Sequence, residues 1–143
     1  MSGPNLSALI DAARHAYHRA YAPYSQFPVG AAIRTPDGQI FAGANVENAA
    51  YPQGQCAEAS AIGNMILGGG AEIAEILVMG GRKGDGVICT PCGGCRQRIR
   101  EFAAPDTPVY VCGPEGLRLT TTLATLLPHS FGPDNLARSE VSS

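Results

Sequence analysis

Two short stretches carry residues whose types and spacing could do chemistry together. GQCAEAS, residues 54 to 60, sets Cys56 and Glu58 two positions apart behind a glycine, and TPCGGC, residues 90 to 95, sets Cys92 and Cys95 three apart. Residues three apart on a helix share a face, so these two sulfurs can grip one ion. Cys56 is the well-placed third ligand. Three protein ligands leave a fourth tetrahedral position open, where a catalytic zinc holds water and a structural zinc holds another side chain. Zinc lowers the pKa of such a water from 15.7 toward about 7, and a carboxylate beside it can take the proton and pass it on. Glu58 has the right chemistry for that base. In mid-helix it would lie about 200° round from Cys56 and point away. At a helix N-terminus the two can converge on an ion above the axis. A solvated acid that suits the helix dipole would account for Glu58 alone, but not for Glu58 beside three cysteines.

The chain of 143 residues holds five cysteines, at 56, 89, 92, 95 and 112. Its start, MSGPNLSALIDAARHAY, carries Asp11 and lacks the basic opening and long apolar run of a signal peptide. An odd cysteine count without a secretory signal favours metal ligation or buried thiols over disulfides. No apolar run approaches a membrane span, and the expected location is the cytoplasm. A redox C-x-x-C would follow a strand in a different context, and Gly-Gly is a poor filler for tuning a thiol. Cys89, in the apolar run GVICT, could in principle be a fourth ligand; with Cys112 it reads better as a buried small hydrophobe. A four-ligand, non-catalytic zinc module is the alternative to a catalytic site.

Helices and strands must bring these residues together. Leu6, Leu9, Ile10, Ala13 and Tyr17 recur at helical spacing ahead of Pro23. VGAAIRT and QIFAGAN flank Pro36-Asp37-Gly38 and read as hairpin strands. AEASAIGNMIL reads as a second helix closed by Gly68 to Gly70, IAEILVMG as a buried strand, CGGCRQRIREF as a third helix and VYVC as a short strand. A last strand or turn near LRLTTT precedes LATLLPHSFGP. A hairpin followed by alternating strands and helices predicts an α/β fold, a three-layer α-β-α sandwich around a mixed sheet. One domain over residues 1–134 is expected, with a loose polar tail over 135–143. Hydrophobic residues make up 45% of the chain, enough for one core. The net charge is −2 and the Lys and Arg residues are scattered, which argues against a nucleic-acid polymer as partner.

YSQFPVGAA, GANVENAAYPQGQCAEASA, TPCGGCRQ and LLPHSFGP together resemble the cytidine deaminase family, in its small homotetrameric, three-cysteine branch. The resemblance spans roughly Tyr21 to Pro133. It implies one Zn²⁺ per chain on Cys56, Cys92 and Cys95, and addition of a zinc-activated water to C4 of cytosine while Glu58 moves the protons. Cytidine and deoxycytidine would become uridine or deoxyuridine plus ammonia, in pyrimidine salvage. Asn45 and Glu47 match residues that hydrogen-bond the ribose, and Phe27 matches an aromatic packed against the base. The backbone of Ala57 would border the pyrimidine edge, and Phe131 matches an aromatic lent to a neighbouring subunit's pocket. A small antibiotic nucleoside bearing cytosine is an alternative substrate. The chain departs from the family at Ala59, where many members carry an arginine facing the thiolates. Two helix N-termini, and Arg96 as a hydrogen-bond donor behind the ligands, are expected to offset the thiolate charge instead.

Overall fold

A continuous apolar run along the central strand, buried on both faces of the sheet, decides the architecture. The computed structural model describes residues 3–136, which form four α-helices and five strands. Helix α1 spans Gly3–Arg19, stopping short of Pro23 as expected. Strands β1 (Val29–Arg34) and β2 (Ile40–Ala44) pair antiparallel, Gly30 opposite Ala44 through Arg34 opposite Ile40. The reversal between them uses Gly38 at φ 92°, a backbone conformation that side-chain-bearing residues rarely adopt.

Strand β3 (Glu75–Gly80) runs antiparallel to β1 and parallel to β4 (Pro108–Gly113), and β5 (Gly116–Thr122) closes the edge antiparallel to β4. The order is β2-β1-β3-β4-β5, a mixed sheet. Helix α2 (Ala57–Leu67) precedes β3, helix α3 (Gly93–Phe102) makes the crossover from β3 to β4, and the short α4 (Leu123–Leu126) follows β5.

The period of two sends neighbouring residues to opposite faces. Ala32, Leu77, Met79, Tyr110 and Cys112 pack under Leu9 and Ala13 of α1. Ala31, Ile33, Ile76 and Val109 pack against Ala57, Ala61 and Met65 of α2, Ile99 of α3 and Leu123 of α4. The result is the three-layer α-β-α sandwich expected from the sequence. One consequence governs the site: α2 and α3 share a face of the sheet, so their N-termini can meet.

Two expectations change. GVICT is not a buried run: it lies in the loop between β3 and α3, with Val87 and Ile88 40% and 46% exposed. Of the expected tail, Asn135 and Leu136 finish a 3₁₀ turn (Pro133–Leu136), while 137–143 lie outside the described residues. Among the described residues no helix is long and apolar enough to cross a membrane.

Candidate functional site

Both α2 and α3 start at a cysteine. Cys56 and Cys92 occupy the N-cap positions in extended conformation. Oxygen-bearing residues usually fill that position because they accept from the first-turn N–H groups. Placing sulfur there instead leaves it aimed at the space the two helix ends share. Cys95 lies one turn into α3, fully buried. The Sγ atoms of Cys56, Cys92 and Cys95 all lie within 4.8 Å of one another. A tetrahedral zinc with Zn–S near 2.3 Å needs its sulfurs about 3.8 Å apart, so small side-chain adjustments suffice.

Electrostatics favour a cation there. Burial pushes the Cys56 and Cys95 thiols up, and the neighbouring acidic groups add to it. Cys92 moves the other way, its thiol lowered chiefly by the backbone N–H of Cys95. Three thiolates in so small a space repel one another, and a bound divalent cation is what lets all three ionise together. Sulfur donors with this count and geometry suit zinc. The first turns of α2 and α3 also present unpaired N–H groups and partial positive charge to the cluster.

Glu58 sits in the first turn of α2 and is only 5% exposed. Burial raises its carboxyl pKa; its own backbone N–H, the Cys95 thiol and the Arg98 charge act in the opposite direction. A cavity of about 170 Å³ joins it to Val29, Asn45, Cys56, Ala57, Cys89, Thr90 and Cys92. A carboxylate screened from bulk water beside an electrophilic ion can take a proton from a bound water and deliver it within the same cavity.

Asn45 and Glu47 lie on an extended segment that bridges Tyr21 on one side and Gln55 on the other through Val46. Asn45 Oδ1 accepts from Val29 N (2.9 Å), and its Nδ2 donates to Phe27 O (3.1 Å). Glu47 accepts from Tyr24 N (3.0 Å), Ser25 N (3.1 Å) and the Ser25 hydroxyl. These side chains therefore hold the 24–29 loop beside the cavity. A side chain at Gly80 would clash with the Cys89 thiol and meet the Phe27 ring, 38% exposed, at ordinary contact distance, which places Phe27 next to the cavity wall. Ala57 is buried in that wall.

The Arg96 guanidinium hydrogen-bonds to oxygen acceptors. Nε donates to Pro91 O (2.7 Å), Nη1 to Leu126 O (2.7 Å) and Nη2 to Thr90 Oγ1 (3.2 Å). It braces the residues just before Cys92. Phe131 is 56% exposed and does not line the cysteine cavity of its own chain.

Cys112 is the core thiol expected, but Cys89 is not: it is half-buried and lines the cavity beside Glu58. Burial pushes its pKa up to about 11. Sequence reasoning also passed over Tyr24, Ser25 and Tyr51, which with Glu47, Asn48 and Gly54 line a second hollow of about 380 Å³. Tyr51 is 79% exposed, and a tyrosine so close to NVEN is the signal that could have drawn attention to it.

Residues 4–111 match the family model described as the cytidine and deoxycytidylate deaminase zinc-binding region. A cytidine deaminase of Sporosarcina psychrophila is 38% identical over 133 residues, 93% of this chain and 96% of that one. A cytidine deaminase of Halalkalibacterium halodurans is 38% identical over 128 residues, covering 90% and 95%. A crystal structure of cytidine deaminase from Burkholderia pseudomallei superimposes with a TM-score of 0.79 at 42% identity, covering 87% of this chain and 98% of that one.

Proposed function

The chain belongs to the cytidine and deoxycytidylate deaminase family, and from that premise we propose that it hydrolyses cytidine and deoxycytidine to uridine or deoxyuridine and ammonia. Cys56, Cys92 and Cys95 would hold one zinc per chain. The metal, when bound, supplies the positive charge that makes a water acidic near neutral pH. Glu58 accepts a proton from the attacking water and hands it to N3 of the pyrimidine. It then moves a second proton to the 4-amino group, which leaves as ammonia. Water supplies the oxygen that becomes the uracil carbonyl, so atoms balance as cytidine plus water giving uridine plus ammonia.

Substrate contacts follow from what each group has left to give. The Asn45 carboxamide keeps one N–H free after bonding Phe27 O and Val29 N, and Glu47 keeps unused lone pairs; both can meet sugar hydroxyls. Phe27 packs against the base, and the Ala57 backbone borders its polar edge. Phe131 enters a neighbouring subunit's pocket in a homotetramer. Residues 1–134 form the deaminase domain, acting in the cytoplasm in pyrimidine salvage.

The observation that carries this reading is a buried carboxylate sharing one cavity with Cys56 and Cys92, whose sulfurs converge with that of Cys95. The test is purified protein with cytidine, following ammonia release and the absorbance shift to uridine. Turnover with stoichiometric zinc supports the reading. Turnover of a cytosine-bearing antibiotic nucleoside in place of cytidine would redirect the substrate, and zinc without turnover of either would favour a non-catalytic module.

A further inference from the structure

The helix that opens on Cys92 also holds, along one face, the segment that carries Phe131. Arg96 and Gln97 of α3 lie four and three residues before Arg100, so Arg100 neighbours both on the helix surface. Arg96 bonds Leu126 O. Gln97 Nε2 donates to Phe131 O at 2.8 Å. Arg100 Nε donates to Ser130 Oγ at 2.9 Å and Nη2 to Asp134 Oδ1 at 2.8 Å. The arginine side chain is 10% exposed, although Asp134 is 76% exposed. Its guanidinium lies flat against Gly132: a Cβ there would come within 2.4 Å of Cζ and 2.6 Å of both terminal nitrogens. Gly132 is therefore required by close approach. The turn is reinforced by Gly132 N donating to Asn135 Oδ1 at 2.7 Å. His129, just before, sits at φ 50°, a conformation that a residue with a side chain keeps only where its surroundings impose it.

These contacts converge on the two residues flanking Phe131 and on its carbonyl, while the ring itself stays outside. We propose that Arg100 is the positioning residue for Phe131, fixing the backbone from which the aromatic reaches a neighbouring subunit's pocket. The inference rests on the reading that Phe131 enters that pocket. Its consequence is that the ring donated to a neighbour is registered to the donor's own metal-ligand helix.

The test is a double-mutant cycle on the intact enzyme, with KM and kcat for cytidine and zinc content measured for each variant. Phe131→Ala should raise KM about tenfold, and Arg100→Gln about three- to tenfold, with kcat within about twofold and zinc unchanged. Arg100→Lys should recover part of the loss, since an ammonium can reach Ser130 or Asp134 but cannot serve both in the planar fork. The double variant should be no worse than Phe131→Ala alone. Gly132→Ala, which displaces the guanidinium without altering it, should reproduce the KM rise and covers the case in which Arg100→Gln fails to fold. An inert Phe131→Ala overturns the shared pocket and this proposal with it. An effective Phe131→Ala with multiplying KM effects, or with Arg100 and Gly132 variants of normal KM, overturns the positioning role alone.

Discussion

Replacing Glu58 by glutamine separates chemistry from architecture more cleanly than any other change at this site. The amide matches the carboxylate in size, so at 5% exposure it leaves no cavity, and the three sulfurs keep their positions on α2 and α3. What disappears, on the proposed mechanism, is a base used twice, once for the water and once for the leaving amine. Each assisted transfer contributes about 10²- to 10⁴-fold, so losing both costs at least about 10⁴-fold in kcat, or about 5.5 kcal/mol of activation free energy. So little exposure leaves bulk water poorly placed to substitute. Burial raises the Glu58 carboxyl pKa, which means the folded site disfavours its charge. A neutral amide relieves that strain, so the melting temperature of the variant should not fall. The assays are single-turnover conversion of cytidine, zinc by elemental analysis, and thermal melting. Activity within about tenfold of wild type would refute the two-transfer role. Loss of zinc with the activity would show instead that Glu58 is part of the metal site.

Cys92→Ala or Cys95→Ala should lose both zinc and turnover, read by elemental analysis; retained stoichiometric zinc would identify Cys89, which shares the cavity, as a replacement ligand. Arg96→Gln should speed zinc loss to a chelator, because the guanidinium braces Pro91 and Thr90 ahead of Cys92. Adding Ala59→Arg should not restore retention, since Arg96 donates to backbone and hydroxyl oxygens; a rescue would show that the two cations serve the same thiolates. Arg118 donates to Glu115, Asp85 and the carbonyls of Arg82 and Val87, and pins the loop before Cys89. Its hydrogen bonds hold Glu115 down to about 2 from an ordinary 4.5. A depressed carboxylate stabilises the fold fully above pH 4.5 and loses that contribution as pH falls toward 2. Arg118→Gln should therefore flatten the acid limb of the urea midpoint between those values; an unchanged limb would refute the link.

How much of this was legible beforehand depends on the range over which each feature is determined. Local chemistry was readable. Apolar spacing placed α1, Pro36-Asp37-Gly38 placed the β1–β2 turn, and Cys92 and Cys95 three apart at a helix start announced a shared ligand face. Alternating strands and helices also announced the three layers, because a sheet with two apolar faces must be covered on both. Interactions between distant segments were not readable. Apolar residues in GVICT look like core until Arg118, from another strand, takes the carbonyls of that loop and exposes Val87 and Ile88. Cys89 then lies against Gly80 of β3 and lines the cavity beside Glu58. Asn45 and Glu47 were identifiable as polar groups of interest, yet their partners at Tyr24, Ser25, Phe27 and Val29 depend on how the chain returns past Tyr21. Arg96 was visible beside Cys95, but its direction was not. Residue type and spacing determine which groups can react and which segments can order themselves, since those depend on neighbours a few bonds away. A long side chain's partner is chosen by whichever acceptors the packed backbone presents, and only the tertiary structure decides that.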